Sequence, residues 1–360
     1  MKDLIFSAPI NSLSFGNVSY NFLREFHRMG LNLKFFPIGK DLDFSAFDKT
    51  EDDFKKWVVD GYNNRLRGIS KSMPYLKMWH LNGSEAGMGD RRFLYTFHET
   101  DTPTEEEENI ASMQTGTIFS SSFSRDTFSK KCENCTNSPL GFDEDFHETN
   151  KKYLSGKVHF GLMGKWEKRK HTASIISKWA KKFGNNPEYQ LSCCVGNPFL
   201  QEDQFREGIQ KALNGEKYKN INFLPRLKTN SEVNEFLNSI DIDLSGLSGA
   251  EGWNLPAFNA TCLGKWSVVL NATSHKDWAN KDNCILVEPE GLEPCYDELF
   301  FKEGNAFNQG NINTFSDSSF DRAISDALTK VGSYNKTGSA LRQDFTYTST
   351  VNNILNIISK

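Results

Sequence analysis

The chain reads as an α/β protein made of two doubly wound domains. Three observations lead there. Short apolar runs of strand length alternate with longer amphipathic runs of helical spacing through both halves. Each half opens with a strand that runs into a glycine-bearing loop and then a helix. At 360 residues the chain is long enough for two domains, each burying its own core.

In chain order, Leu4-Ile5-Phe6 is a short buried strand followed by the small-residue loop Pro9 to Asn17. A helix is expected from about Asn17 to Met29, with Phe22, Leu23 and Phe26 on one face and Gly30 as its left-handed cap. Strand, glycine loop and helix together form a phosphate cradle or an ordinary turn, and Gly16 and Asn17 are the residues in question. Asn32 to Pro37 reads as a second strand, Leu76 to His80 as a third and Phe93 to Phe97 as a fourth. The fourth leads into His98-Glu99-Thr100-Asp101, at the sheet edge where open α/β folds bind ligands. These groups could orient or deprotonate a hydroxyl, or form the cap ahead of Thr104 and the acid run Glu105 to Glu108. Gly116 to Ser124 is a strand ending in hydroxyls that cap a helix from about Ser124, and residues 147 to 156 are polar.

The second series opens with the strand Val158 to Met163 and then Gly164-Lys165-Trp166-Glu167-Lys168-Arg169-Lys170, four cations in six positions. Such a run is either a solvated loop or a site for a polyanion. Helix Thr172 to Phe183, strand Tyr189 to Gly196, a helix through Phe205 and Leu213, strand Ile221 to Leu224 and a helix from Ser231 to Ile240 follow. The apolar run Ile240 to Leu244 then delivers the chain to Glu251-Gly252-Trp253-Asn254-Leu255-Pro256, a carboxylate at a helix entry with proline in the first turn. A helix N-terminus favours an anion, so Glu251 either caps the helix or is held there for a purpose. Ser267 to Leu270 and Cys284 to Val287 read as the remaining strands, His275 as a surface residue between them, and two terminal helices end the chain.

The segment from Glu251 to Gly264, with the strand Ser267-Val268-Val269-Leu270 behind it, resembles the nucleotide-sugar signature of family 4 of the retaining glycosyltransferases, enzymes of phage and bacteria among them. That resemblance implies the GT-B fold, two Rossmann-like domains facing across a cleft. It places an acceptor-side domain at 1–150, a nucleotide-sugar domain at 151–335 and a C-terminal segment, 336–360, crossing back to the first. It implies that Lys165 and Lys170, at the positions of the family's Gly-Arg-x-x-x-x-Lys pattern, stabilise the departing diphosphate. It also implies that Glu251 holds the donor sugar and that the backbone of Gly252, Trp253, Asn254 and Leu255 cradles phosphate, with Gly16, Asn17 and Gly164 lining the donor. Asn259 stands where the family has a second Glu that accepts from the ribose; an amide oxygen also accepts but carries no charge. His98, Glu99 and Asp101 are acceptor-side candidates. No metal or other cofactor is implied, and Asp241-Ile242-Asp243 is read as a strand end rather than a metal-binding pair.

The expected activity is transfer of a sugar from a nucleoside diphosphate to an acceptor hydroxyl, on a glycan or on a hydroxymethylated DNA base. The alternatives are a non-catalytic nucleotide-sugar or glycan-binding protein and a sugar-nucleotide epimerase of the same fold. A formal charge of −4 argues against a sequence-blind nucleic-acid binder. Seven scattered cysteines, with one isolated Cys132-x-x-Cys135, suggest buried free thiols in a reducing, cytoplasmic setting. No apolar run reaches the ~20 residues of a membrane span.

Overall fold

The computed structural model describes residues 2–39, 41–149, 151 and 153–360. It divides into two compact units. The first comprises Met1–Asp145, Lys228–Ser231 and Arg342–Lys360; the second comprises Phe146–Leu227 and Glu232–Leu341.

The first unit runs β1 (Asp3–Ala8), α1 (Ser14–Arg28), β2 (Asn32–Pro37), α2 (Asp52–Asn63), β3 (Tyr75–Met78), β4 (Arg92–Thr96), α3 (Glu105–Ser112), β5 (Gly116–Phe119), α4 (Ser122–Ser129) and β6 (Cys135–Asn137). Its six strands are parallel, in the order β2-β1-β3-β4-β5-β6. Helix α1 starts three residues earlier than its apolar spacing suggests. The Oδ1 atom of Asn11 accepts from the Leu13 amide at 2.9 Å, and the Leu13 carbonyl accepts from the Asn17 amide at 2.9 Å, so a side-chain turn replaces the expected cap. Phe26 meets Phe6 edge-on at 5.3 Å and seats α1 on the sheet. Before α3, Thr104 and Glu107 form a reciprocal capping box, and the acid run fills the first turn.

The terminal helix Tyr347–Ile358 belongs to this unit. Ser138 Oγ donates to the Thr350 carbonyl at 3.0 Å, Thr348 Oγ1 to Glu25 at 2.9 Å, and Phe142 bridges Thr346. At Gly141 a Cβ would stand 2.1 Å from the Tyr347 amide nitrogen, so only glycine lets the two segments approach this closely.

The second unit runs β7 (Val158–Met163), α5 (Thr172–Phe183), β8 (Tyr189–Cys194), α6 (Glu202–Ala212), β9 (Ile221–Phe223), α7 (Asn230–Ser239, its first two residues belonging to the first unit), β10 (Ile242–Asp243), α8 (Leu255–Cys262), β11 (Trp266–Leu270), β12 (Ile285–Val287), β13 (Gly291–Pro294), β14 (Asn311–Thr314), α9 (Asp317–Leu328) and α10 (Lys336–Asp344) as far as Leu341. Its main sheet is again six parallel strands, β12-β11-β10-β7-β8-β9. Phe160, Ile175, Ile176, Trp179, Leu191, Ile242, Val268 and Phe320 fill the core. The antiparallel hairpin β13–β14 is an addition that the sequence did not announce, because Cys284 to Val287 reads as the last strand. The cysteines are free thiols, six of them buried.

Candidate functional site

The second unit gathers an alternating set of charges around the head of α8. Strand β7 ends just before Gly164, whose φ of +157° is unusual for other residues. A Cβ there would stand 3.0 Å from Lys170 Cδ, so the bare glycine lets the aliphatic stem of Lys170 lie along the backbone. The Lys170 ammonium reaches Glu251 Oε1 at 2.5 Å. Arg169 Nη1 meets the other oxygen, Oε2, at 3.1 Å and donates to the Ala250 carbonyl at 2.6 Å. Arg169 Nη2 contacts Glu167 Oε2 at 3.1 Å, and Lys165 approaches Glu167 Oε1 at 3.6 Å. Three cations thus bracket two carboxylates, leaving an excess of positive charge.

Burial by itself would raise the Glu251 carboxyl. The charges of Lys170 and Arg169 outweigh it and hold the group down at about 2, so Glu251 is ionised at every working pH. Glu167, buried beside Arg169 and Lys165, is lowered in the same way. Phe199 and Phe300 flank the Lys165 ammonium at 5.5 and 5.3 Å from their ring centres.

Helix α8 is entered through a strained turn. Asn254 sits in the left-handed region at φ 70°, and its side chain accepts from the Ala257 amide as the N-cap. Its Nδ2 donates to the Ser245 carbonyl and to His275 Nε2, both at 2.9 Å. His275 Nδ1 is 2.8 Å from the Leu270 carbonyl, which requires the proton on Nδ1 and leaves Nε2 as the acceptor. The surface placement expected for His275 is therefore corrected: the ring is fully buried, and burial pushes it down to about 4. A local sequence window shows His275 beside lysine and aspartate, but its partners lie five and twenty-one residues away. Gly252 and Trp253 are buried, and Leu255 and Pro256 open the first turn of α8 half-buried. Asn259, one turn further on, is 6% exposed, and its Oδ1 has no hydrogen-bond partner among the described residues.

Asp243, at the end of β10, accepts from the Ser245 amide at 3.1 Å and from its hydroxyl at 2.6 Å. Burial raises its carboxyl to about 6, and Asp241 is committed to the His159 amide at 2.8 Å. Among the described residues no group of three or more His, Cys, Asp or Glu side chains is placed to hold a metal.

Gly16, Asn17, His98 and Glu99 lie in the first unit. Gly16 is buried, with its Cβ position 2.3 Å from the Asn11 carbonyl oxygen, while Asn17 is half-buried in the first turn of α1. His98 is 4% exposed and meets Phe128 edge-on at 4.8 Å. Its carbonyl accepts from Ser124 Oγ at 2.6 Å, which ties the strand end to α4, and its Nε2 lies 3.4 Å from Thr100 Oγ1. Glu99 and Asp101 remain half-buried beyond β4. Thr273 Oγ1 accepts from the Glu251 amide at 3.2 Å; neither it nor Glu167 is singled out by the sequence, and the only signal for Arg169 is its membership of the basic run.

No known family profile matches the chain, and no curated protein matches it in sequence. Solved structures match over its whole length. A sucrose-phosphate synthase from Thermosynechococcus elongatus superposes with a TM-score of 0.71 at 11% identity, covering 100% of this chain and 98% of that one. A glycosyltransferase from Rickettsia africae gives 0.67 at 10% identity, covering 99% and 98%. HepE from Anabaena, solved in complex with UDP-glucose, gives 0.66 at 12% identity, covering 100% of both. At such identities the likeness speaks for architecture: the protein has the GT-B fold, two Rossmann-like α/β units, that these glycosyltransferases share.

Proposed function

We propose that the protein is a retaining, metal-independent glycosyltransferase that takes a hexose from a nucleoside diphosphate donor. The observation that carries this reading is the buried Glu251 carboxylate clasped by Lys170 and Arg169 at the entry of α8. An isolated buried carboxylate is costly, and this one is fixed and ionised, ready to accept from sugar hydroxyls. The excess cation around it supplies what a departing diphosphate needs. As the anomeric carbon–oxygen bond to the diphosphate breaks, the acceptor oxygen bonds to the same carbon and its proton passes to the diphosphate. Lys170 and Lys165 neutralise the charge that develops, in the role a divalent cation plays elsewhere. Asn259 Oδ1, buried and without a hydrogen-bond partner among the described residues, is in reserve for a ribose hydroxyl. The UDP-glucose bound to HepE makes UDP-hexoses the first donors to try.

The test is release of UDP from UDP-hexoses by the purified protein, with and without acceptors. Turnover of none of the common nucleotide sugars, together with no thermal shift on adding UDP, would remove the reading in favour of a scaffold without donor chemistry.

A further inference from the structure

Among the described residues of the first unit, the large apolar side chains left exposed are Leu66 at 67%, Ile69 at 37% and Met113 at 56%. All three lie at one edge of its sheet. Leu66 and Ile69 fall between α2 and β3, and Met113 follows α3 and precedes β5, so they gather at the end where the parallel strands begin. Gly16, His98 and Glu99 sit at the other end, where the strands finish and open α/β sheets take their ligands. A singly exposed apolar residue needs no explanation, but three confined to one edge do.

The same edge is cationic. Lys2 precedes β1, Arg65, Arg67 and Lys71 precede β3, and Arg91 and Arg92 enter β4. No acid falls between Asp60 and Glu85, in a chain whose formal charge is −4. Asp3, Asp60 and Asp90, the acids nearest these cations in sequence, are outnumbered by them. The apolar tip is held outward by its own turn. Arg65 Nη1 donates to the Tyr62 carbonyl at 2.8 Å, its guanidinium lies 4.2 Å from the Tyr62 ring centre, and the Arg67 amide donates to the Asn64 carbonyl at 2.9 Å. At Gly68, with φ +67°, an added Cβ would meet nothing within 4 Å, so this turn stands clear of the rest of the unit. Beside it, Lys2, Ser70, Ser72 and Arg91 line a hollow of about 410 Å³, with room for a phosphate headgroup.

Aliphatic tips set among lysine and arginine fit a negatively charged lipid surface, where the apolar part enters the headgroup layer and each nearby cation adds attraction. A nucleic acid would take up the cations but leave Leu66, Ile69 and Met113 in water. We propose that this edge of the first unit docks on an anionic lipid surface, with Leu66, Ile69 and Met113 in the headgroup layer and Lys2, Arg67 and Lys71 on the lipid phosphates. The docking surface is separate from the Glu251 cluster and stands or falls independently of the donor reading.

The experiment is flotation of the full chain with vesicles of phosphatidylcholine alone and with vesicles containing about one-third phosphatidylglycerol. The expected result is capture by the anionic vesicles and not by phosphatidylcholine. The double variant Arg67→Ala, Lys71→Ala should bind the anionic vesicles about ten-fold more weakly or worse. Leu66→Ser should also weaken binding and leave a residue of it that high salt removes. These side chains are exposed, so thermal melts and UDP titration should match the wild type in every variant. Any of four results overturns the proposal: no capture by anionic vesicles, equal capture by phosphatidylcholine, wild-type binding in either variant, or tighter binding of a DNA duplex that Leu66→Ser leaves intact.

Discussion

The side-chain amide of Asn254 donates to Nε2 of His275 at 2.9 Å, and this bond holds the turn that points Glu251 into its cluster. The bond exists only while His275 is neutral, because a protonated Nε2 has no lone pair to offer. The folded pKa of about 4 lies below the ordinary 6.5, so between those values the unfolded chain binds a proton that the folded one refuses. Acidification through that window therefore destabilises the protein, by about 1.4 kcal/mol per pH unit from this group. Asp243 acts with the opposite sign: its carboxyl sits at about 6 against 3.8, so the folded state gains protons first as pH falls. The difference between His275→Gln and wild type isolates the histidine. Gln keeps a donor for Leu270 and an acceptor for Asn254, and its urea stability should converge on and then overtake the wild type from pH 6.5 to 4. Parallel curves would exclude the assignment.

Arg169 and Lys170 touch the same carboxylate but differ in exposure, 8% against 16%, and in what each leaves behind. Removing Arg169 strips Glu167 and Glu251 of a shared, buried partner and frees the Ala250 carbonyl. Arg169→Ala should cost about 3–5 kcal/mol of stability, measured by denaturant unfolding. Lys170→Ala should fold with a smaller loss and show its effect in turnover, on the order of a hundred-fold. Equal stability losses in the two variants would mean that the cluster is a folding element without the proposed division of labour.

The contrast between these neighbours shows where the sequence stops being informative. Most of the parallel strands were legible because they bury short apolar runs, whereas β6 (Cys135–Asn137), polar and only partly buried, gave no such signal. Glu251, Lys165 and Lys170 were marked by the family resemblance alone. Within Lys165-Trp166-Glu167-Lys168-Arg169-Lys170, composition cannot say which cations turn inward; Arg169 does, while Lys168 turns outward to the Pro294 carbonyl. That carbonyl belongs to hairpin β13–β14, which has exposed Gly291, Leu292 and Pro294, no apolar alternation and a proline, so no strand signal was there to read. His275 failed for a related reason: its burial depends on partners brought by β11 and the turn before α8, which no window around it contains.

Gly141 tests the attachment of the terminal helix to the first unit. Its Cβ position is 2.1 Å from the Tyr347 amide nitrogen and 2.3 Å from the Thr346 carbonyl carbon, both backbone atoms that cannot swing aside. Gly141→Ala should cost about 1–3 kcal/mol or more. Hydrogen exchange should quicken selectively in Tyr347–Ile358. Exchange unchanged in that helix would show that the contact relaxes without detaching it.

Asn259 separates a structural role from a ligand-binding one. Its Oδ1 is buried without a partner among the described residues, so in the free protein the atom is a cost rather than a support. Asn259→Ala should then leave the melting temperature unchanged or raise it slightly. If that oxygen waits for a ribose hydroxyl, the same variant should bind UDP about ten-fold more weakly, the worth of one good hydrogen bond. The two readouts move in opposite directions, which no purely structural account of Asn259 produces. Calorimetric titration with UDP beside a thermal melt decides it: a lower melting temperature with unchanged UDP affinity would make Asn259 an ordinary helix residue and leave the ribose position to be found elsewhere.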